Sequence, residues 1–304
     1  MKEVEMTTYL KPPFSYFGSK ARIAKQLVDN LPPHNCWIEL FCGSAALTCA
    51  KTTIAPIEII NDLDSNIVNV FKQLRDNPDD LIRMVDATPY AREELELARI
   101  DTPEDSDLEK ARKFFVASMF AINGAFGDQK GGFSCSHSYS RQGVEARVSR
   151  WNMLPDRLAL LTNRLKQVRI EKMDGIQLLQ HYMDRPATLV YIDPPYLGLR
   201  SQGYTHDLND IAYHTELLET SNNAKCMIFI SGYDHDLYRT LLSEERGWIM
   251  KQIVASTRGN NGVQKSRTEL VWMNRHYHNA VTRQQLPIDL TTAEQTSKKV
   301  NPTR

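Results

Sequence analysis

The stretch Ala187-Thr188-Leu189-Val190-Tyr191-Ile192-Asp193-Pro194-Pro195-Tyr196 sets the expectation for the whole fold. Its first six residues are mostly apolar and predict a short buried strand. Two prolines then end the strand, because proline cannot donate to a β-ladder and holds φ at about −65°. A carboxylate, two rigid residues and an aromatic ring therefore follow the carboxyl end of a strand, which is the edge where open α/β sheets bind ligands.

The side chains at this strand end suit an exocyclic amine on a planar ring. The Asp193 carboxylate accepts hydrogen bonds, Pro194 presents a carbonyl without an N–H of its own, and Tyr196 offers a flat apolar face. The same residues are equally compatible with an acidic turn after a core strand. Taken alone, this stretch favours neither interpretation.

Two earlier strands predict a nucleoside site at the same edge. The run Cys36–Phe41 is expected to pass through a small-residue turn at Gly43 into a helix, as in the first half of a nucleotide-binding βαβ unit. The second strand, Ile57–Ile60, ends near Asp62 and Asp64, where an acid binds ribose hydroxyls. Either carboxylate could instead cap the next helix. The turn lacks G-x-G-x-x-G, so the pattern favours a nucleoside without phosphates.

The stretch Tyr16-Phe17-Gly18-Ser19-Lys20 precedes another predicted helix. Aromatic residues, a glycine and a lysine at a helix start could hold an anion or the tail of a cofactor. By itself the stretch is more typical of a surface turn.

A basic segment interrupts the alternation of strands and helices. From Lys130 to Arg169 the chain holds eight Lys/Arg and two Asp/Glu, interleaved with aromatic and amide side chains. This composition is typical of a nucleic-acid surface, and residues 123–150 are interpreted as one. The predicted contacts are Lys130, Ser138, Arg141, Arg147 and Arg150. Three further basic residues are expected on the exposed face of an ordinary helix: Arg157, Arg164 and Lys166.

The overall composition limits the class of protein. The 304 residues include 37 basic and 37 acidic side chains, so a polyanion can be bound only by a local patch. Five cysteines without a C-x-x-C pair argue for a reducing compartment and against a metal site. No secretory signal or bilayer-spanning run is recognised, so we expect no membrane partner. The expected location is the cytoplasm of a bacterial cell, or of the host if the gene is carried by a phage.

Five blocks of the chain, in this order, resemble the motifs of the D12-class (Dam-like) DNA N6-adenine methyltransferases. They are Phe14–Lys20, Glu39–Ala46, Asn61–Asp64, Asp193–Tyr196 and Arg267–Asn274. A lone D-P-P-Y is unspecific, whereas five blocks in the family's order are specific. The resemblance implies an α/β, Rossmann-like class I methyltransferase fold that uses S-adenosyl-L-methionine, with a mixed sheet and a terminal β-hairpin. It also implies an inserted, mainly helical domain that recognises the DNA target.

The resemblance assigns roles to the matching residues. Those implied to contact S-adenosyl-L-methionine are Tyr16, Gly18, Lys20, Glu39, Phe41, Gly43, Asp62, Asp174 and Asp193. Among them, Asp62 is placed at the ribose hydroxyls and Asp174 near the cofactor adenine. The residues implied to be catalytic are Asp193, Pro194 and Tyr196. The sequence departs from the family where Ala45 replaces a second glycine and Asp64 replaces a common asparagine.

These assignments predict three regions of the chain. Residues 11–74 and 168–278 are expected to form the catalytic domain, 75–167 an inserted DNA target-recognition domain, and 279–304 a disordered tail. The implied activity is site-specific transfer of a methyl group to the N6 amine of a flipped adenine in double-stranded DNA, as in restriction–modification enzymes. The oligomeric state and the target sequence are left open.

Three alternatives remain at this point. An N6-adenine RNA methyltransferase could use the same acceptor geometry, as could an N4-cytosine DNA enzyme, although the latter more often carries S-P-P-Y. Cytosine-C5 methylation needs a nucleophilic cysteine, usually after proline, and no Pro-Cys occurs. The remaining alternative is a non-catalytic DNA- or cofactor-binding module, against which the intact Asp62 and Asp193 argue.

Overall fold

Seven strands form one mixed sheet in the part of the chain that the structure describes. The computed structural model covers residues 9–16, 18–122, 131–140, 143–197, 210–258 and 264–287, with backbone only at 255–258 and 264–267. The strands are β1 (Cys36–Glu39), β2 (Ile57–Asn61), β3 (Val168–Glu171), β4 (Thr188–Ile192), β5 (Met227–Gly232), β6 (Trp248–Arg258) and β7 (Gln264–Asn274). Their order across the sheet is β3-β2-β1-β4-β5-β7-β6.

The direction of the strands confirms the predicted mixed sheet with a terminal hairpin. β1 pairs in parallel with both β2 and β4, and β3 and β5 extend the sheet in parallel on either side. β7 is antiparallel to β5, and β6 pairs with β7 at the edge. The chain thus leaves β1 on one side and returns on the other. This reversal creates a crevice at the carboxyl ends of β1 and β4, which is the ligand position in open α/β folds.

Helices cover both faces of the sheet. They are α1 (Ala24–Val28), α2 (Ala46–Ala50), α3 (Ser65–Asp76), α4 (Pro78–Ala87), α5 (Arg92–Ala98), α6 (Asp107–Phe120), α7 (Ala146–Asn152), α8 (Leu154–Leu165), α9 (Gly175–Tyr182), α10 (Ile211–Asn223), α11 (Asp236–Leu241) and α12 (Arg275–Arg283). No helix in these described ranges is long and apolar enough to cross a bilayer.

Alternation along the strands divides the core between the two faces. Ile38 and Val190 pack with α9, α10 and α11, whereas Trp37 and Leu189 pack with α1, α2 and α12. Because helices cover both faces of the sheet, every residue from Thr188 to Ile192 is buried. This explains why the strand before Asp193 is a continuous run of mostly apolar residues rather than an alternating one.

The helices between β2 and β3 share their core with the sheet. Phe115, Leu158 and Leu161 belong to the same buried cluster as Ile60 of β2 and Val168 of β3. The segment predicted as an inserted domain therefore packs its helices directly on the catalytic sheet. Its part in DNA recognition stays a prediction.

Two sequence-based expectations are wrong in detail. The disordered tail was expected from residue 279, but α12 continues through Arg283, because Tyr277 and Ala280 bury its apolar face against the sheet. Residues 288–304 lie outside the described ranges. Arg164 was expected to be exposed, but only 3% of it is exposed and it pairs with Glu58.

Candidate active site

A cleft lies at the carboxyl ends of the parallel strands, where open α/β sheets bind ligands. The lining includes eight of the predicted site residues, namely Tyr16, Gly18, Lys20, Glu39, Phe41, Gly43, Asp62 and Asp193. They come from four separate segments of the chain, which the parallel strand ends bring to one edge.

The turn after β1 has the backbone that its small residues predict. Gly43 has φ of +47°, and a Cβ there would lie 2.9 Å from Cδ1 of Tyr16. A larger residue would therefore be strained and would push the Tyr16 ring off the turn. Ala45 also has a positive φ of 50°. The position where the family carries a second glycine is thus left-handed here, at a cost of about 1–2 kcal/mol for a non-glycine residue.

Of the two acids after β2, the structure shows Asp64 as the cap of the next helix. Asp64 caps α3 by accepting from the Asn66 amide at 2.8 Å. Asp62 accepts from the Gly43 amide at 2.8 Å and from the Asp64 amide at 3.0 Å. Asp62 therefore holds the glycine turn while it lines the cleft.

Glu39 is a buried carboxyl at the end of β1. It accepts hydrogen bonds from the Leu47 amide, the Thr48 amide and the Thr48 hydroxyl at 3.3, 2.8 and 2.5 Å, which fixes the first turn of α2. Burial raises the pKa of Glu39 to about 7, and the nearby charge of Asp193 adds to this effect. Glu39 thus supplies a carboxyl in the cleft wall that ionises near neutral pH.

The Asp193 carboxylate lies at the centre of a compact ionic cluster. The Lys20 ammonium donates to both of its oxygens at 2.8 Å and to the Gly18 carbonyl at 3.0 Å. The Tyr196 hydroxyl oxygen lies 2.9 Å from Asp193 Oδ1, and the Lys20 ammonium lies 4.9 Å from the centroid of the Tyr196 ring. These contacts orient the carboxylate at the rim of the cleft.

Glu269 of β7 completes this cluster and was not singled out from the sequence. Its carboxyl lies 3.6 Å from the Lys20 ammonium and is in short hydrogen-bonding contact with the Tyr196 hydroxyl. An acid in the otherwise largely apolar run Thr268–Met273 was the available signal. Its significance depends on β7 lying next to β5, which the sequence pattern did not show.

Three of the predicted catalytic and cofactor-binding residues do not line the cleft, namely Asp174, Pro194 and Tyr196. Pro194 is buried, and Pro195 lines the cleft instead. The Asp174 carboxylate caps α9 through the Gln177 amide at 3.0 Å and accepts from the Tyr213 hydroxyl at 3.1 Å. Its neighbours Met173 and Gly175 form the cleft wall. Any contact of Asp174 with the cofactor adenine stays a prediction.

The predicted nucleic-acid contacts are described only in part. Lys130 and Arg141 lie outside the described ranges, whereas Ser138, Arg147 and Arg150 are exposed. Arg150 donates to the Ser15 hydroxyl at 2.7 Å, next to the segment that carries Tyr16. All three side chains are therefore accessible, and Arg150 links the inserted helices to the segment that carries Tyr16.

The fold and the site together define a Rossmann-like methyltransferase. The features that do so are the order of the strands, the Gly43 turn and the acids at the strand ends. A family model described as D12 class N6 adenine-specific DNA methyltransferase matches residues 16–252. The chain belongs to this family, and it is by class a DNA adenine methyltransferase.

Individual known proteins are only distantly similar. The type II methyltransferase M1.LlaDCHI of Lactococcus lactis subsp. cremoris is 23% identical over 214 residues, covering 65% of this chain and 71% of that protein. A SAM-dependent methyltransferase from Agrobacterium tumefaciens is similar in structure, with 12% identity and a TM-score of 0.36. The match covers 84% of this chain and 60% of that protein's length. The precorrin-6y C5,15-methyltransferase of Geobacter metallireducens gives 8% identity and a TM-score of 0.38, covering 86% and 93% of the two chains.

Proposed function

We propose that the cleft binds S-adenosyl-L-methionine and that Asp193 accepts a hydrogen bond from the N6 amine of adenine in duplex DNA. The observation that carries the proposal is the position of Asp193 after β4, beside the cleft lined by Asp62 and the Gly43 turn. When bound, the cofactor supplies an electrophilic methyl group on a sulfonium. The cleft suits a cationic nucleoside, because its lining holds four acids, with Lys20 as the one basic residue.

The acceptor amine is the part of the reaction that needs help from the protein. The lone pair of an adenine N6 amine is delocalised into the ring, so the nitrogen is a weak nucleophile. A carboxylate that accepts from this amine favours tetrahedral geometry and directs the lone pair out of the ring plane. Lys20 and Tyr196 hold the Asp193 carboxylate in one orientation, so its contribution is positioning and electrostatic stabilisation.

An adenine in a duplex has to leave the base stack to reach this site. The aromatic ring of Tyr196 lies beside Asp193 and would replace part of the lost stacking. The exposed Arg147 and Arg150 would bind the phosphate backbone, and Arg150 contacts Ser15, which is next to Tyr16 of the cleft. Incubating the protein with duplex DNA and the cofactor, followed by mass spectrometry of the nucleosides, should reveal N6-methyladenine. Methylation of cytosine, or of RNA alone, would contradict the proposal.

Replacing Asp62 should weaken cofactor binding while the protein still folds. Hydrogen bonds between a charged acceptor and ligand hydroxyls contribute about 1.5–3 kcal/mol, so we expect Asp62→Ala to raise the Kd for S-adenosyl-L-methionine by about 10- to 100-fold. Isothermal titration calorimetry measures this directly.

Asp64→Ala is the matched control for this experiment. It removes the cap of α3 and should cost about 1 kcal/mol of stability, while the Kd stays within about threefold of the wild-type value. If both variants lose the same affinity for S-adenosyl-L-methionine, Asp62 would only support the Gly43 turn and would not bind the ribose.

Reversing the charge of two exposed arginines should weaken DNA binding without affecting the cofactor. In the Arg147→Glu, Arg150→Glu double variant, we expect a lower affinity for duplex DNA and a salt slope reduced by about one per lost phosphate contact. Fluorescence anisotropy at several salt concentrations measures both quantities. The control is Lys166→Glu, at the exposed C-cap of α8 and outside residues 123–150. An equal loss of DNA affinity in this control would contradict the assignment of Arg147 and Arg150 to the DNA surface.

A further inference from the structure

Two carboxyl groups lie within hydrogen-bonding distance of the single Tyr196 hydroxyl. The Tyr196 hydroxyl lies within hydrogen-bonding distance of Asp193 Oδ1, at 2.9 Å, and makes a short contact with Glu269 Oε1. A hydroxyl group carries one hydrogen and can donate to only one of two carboxylates. Both contacts are favourable together when one of the two carboxyl groups is itself protonated and donates to the tyrosine oxygen. The geometry therefore describes a chain, Asp193–Tyr196–Glu269, with room for one additional proton.

The charges in this cluster also favour the uptake of a positive charge. Asp193 and Glu269 face a single ammonium, Lys20, which lies 2.8 Å from the first and 3.6 Å from the second. The other described titratable groups that interact with one or both of them are Glu39, Tyr191, Tyr196 and Tyr238. Opposite Glu269 on β6 lies the apolar Ile253. Among the described side chains, Lys20 is the one cation that pairs with the two carboxylates, so their ionised forms leave a net negative charge.

We propose that Glu269 accepts, through Tyr196, the proton that adenine N6 loses when it is methylated. This inference rests on the proposed function of the site. As the N6–methyl bond forms, the bond between the methyl group and sulfur breaks and its electron pair stays on sulfur. The methylated N6 then carries a positive charge and releases one proton to Asp193. Asp193 passes a proton to the Tyr196 oxygen while the Tyr196 hydroxyl proton moves to Glu269. Asp193 and Tyr196 return to their starting states, and Glu269 ends protonated.

The environment of the two side chains matches these roles. Burial and the surrounding acids raise the pKa of Tyr196 well above its usual range, so the phenol transfers a proton without remaining ionised. Burial also raises the pKa of Glu269 above that of an ordinary glutamate, while Lys20 opposes the shift. Glu269 must be ionised to accept a proton. The transfer rate should therefore fall as the pH decreases through a value above the normal glutamate range.

Single-turnover methylation with saturating cofactor and duplex DNA tests this relay. The wild type should be compared with Glu269→Gln and Tyr196→Phe from about pH 5.5 to about pH 9. Both substitutions preserve shape, and phenylalanine keeps the aromatic face. We expect each variant to lose about 10²-fold in rate, with the acid limb of Glu269→Gln displaced to lower pH. The double variant should be no slower than either single variant, because both interrupt the same chain.

Cofactor affinity serves as the readout of a merely structural effect. Glu269→Gln should bind S-adenosyl-L-methionine within about threefold of the wild type, because the change in shape is small. An unchanged rate, a slower rate with an unmoved acid limb, or additive losses in the double variant would each overturn the relay. Failure of the proposed function gives a different result, since the wild type itself would then form no N6-methyladenine.

Discussion

Asp193→Asn will bind cofactor and DNA but transfer the methyl group about 10²- to 10³-fold more slowly than the wild type, as expected for loss of one preorganised electrostatic contact. The asparagine amide keeps the size of the side chain but replaces one acceptor oxygen with a donor and removes the charge. The Lys20 ammonium then loses the carboxylate that it contacts through both oxygens at 2.8 Å. The N6 amine would meet an amide group with fewer lone pairs and a poorly held orientation.

Rapid-quench single-turnover kinetics measure this loss without interference from product release. Asp234→Asn is a matched control, because Asp234 also follows a parallel strand, β5, but is exposed and pairs with Arg239. Its rate should stay within about twofold of the wild type, as for most surface changes. Far-ultraviolet circular dichroism and the melting temperature check that both variants fold. A fully active Asp193→Asn would remove this carboxylate from the chemistry and leave the cleft as a binding site.

The sequence predicts those parts of the site that depend on strand ends. Parallel strands bring their carboxyl ends to one edge, so Gly43, Asp62 and Asp193 could be placed together from the strand pattern alone. The hydrogen bond from the Gly43 amide to Asp62 bears out the nearness of the first two. The contact between Lys20 and Asp193, 173 residues apart, was not predicted from spacing.

Residues outside this rule were harder to predict. Glu269 reaches the site because β7, and not β6, pairs with β5, and a hairpin pattern does not indicate which of its strands lies inside. Arg164 was assigned to an exposed helix face because helical spacing alone does not reveal a buried partner. The inserted helices cover the sheet closely enough to bury this arginine against β2. The positions of Glu269 and Arg164 thus depend on tertiary packing, which the local sequence pattern does not show.

The same buried contact carries the largest expected effect on stability. Glu58 of β2 lies between the Lys51 ammonium at 2.9 Å and the Arg164 guanidinium at 2.5 Å. Lys51 and Arg164 are 2% and 3% exposed, and Glu58 is 1% exposed. Lys51 follows α2 and Arg164 belongs to α8, so the three charges join the glycine-turn helix, the sheet and the inserted helices. Removing Glu58, the acid of this triad, would leave two buried cations without the carboxylate that balances their charge.

Glu58→Ala should therefore lower the free energy of unfolding by about 3–5 kcal/mol, the usual cost of breaking a buried ion pair from one side. Urea denaturation followed by tryptophan fluorescence measures this change. The control is Glu219→Ala, which removes a pair with Arg246 in which both side chains are more than 40% exposed, and it should cost less than about 1 kcal/mol. A loss in Glu58→Ala no larger than in this control would mean that water already solvates the triad. A large loss would show that the inserted helices and the catalytic sheet are held together partly by charge.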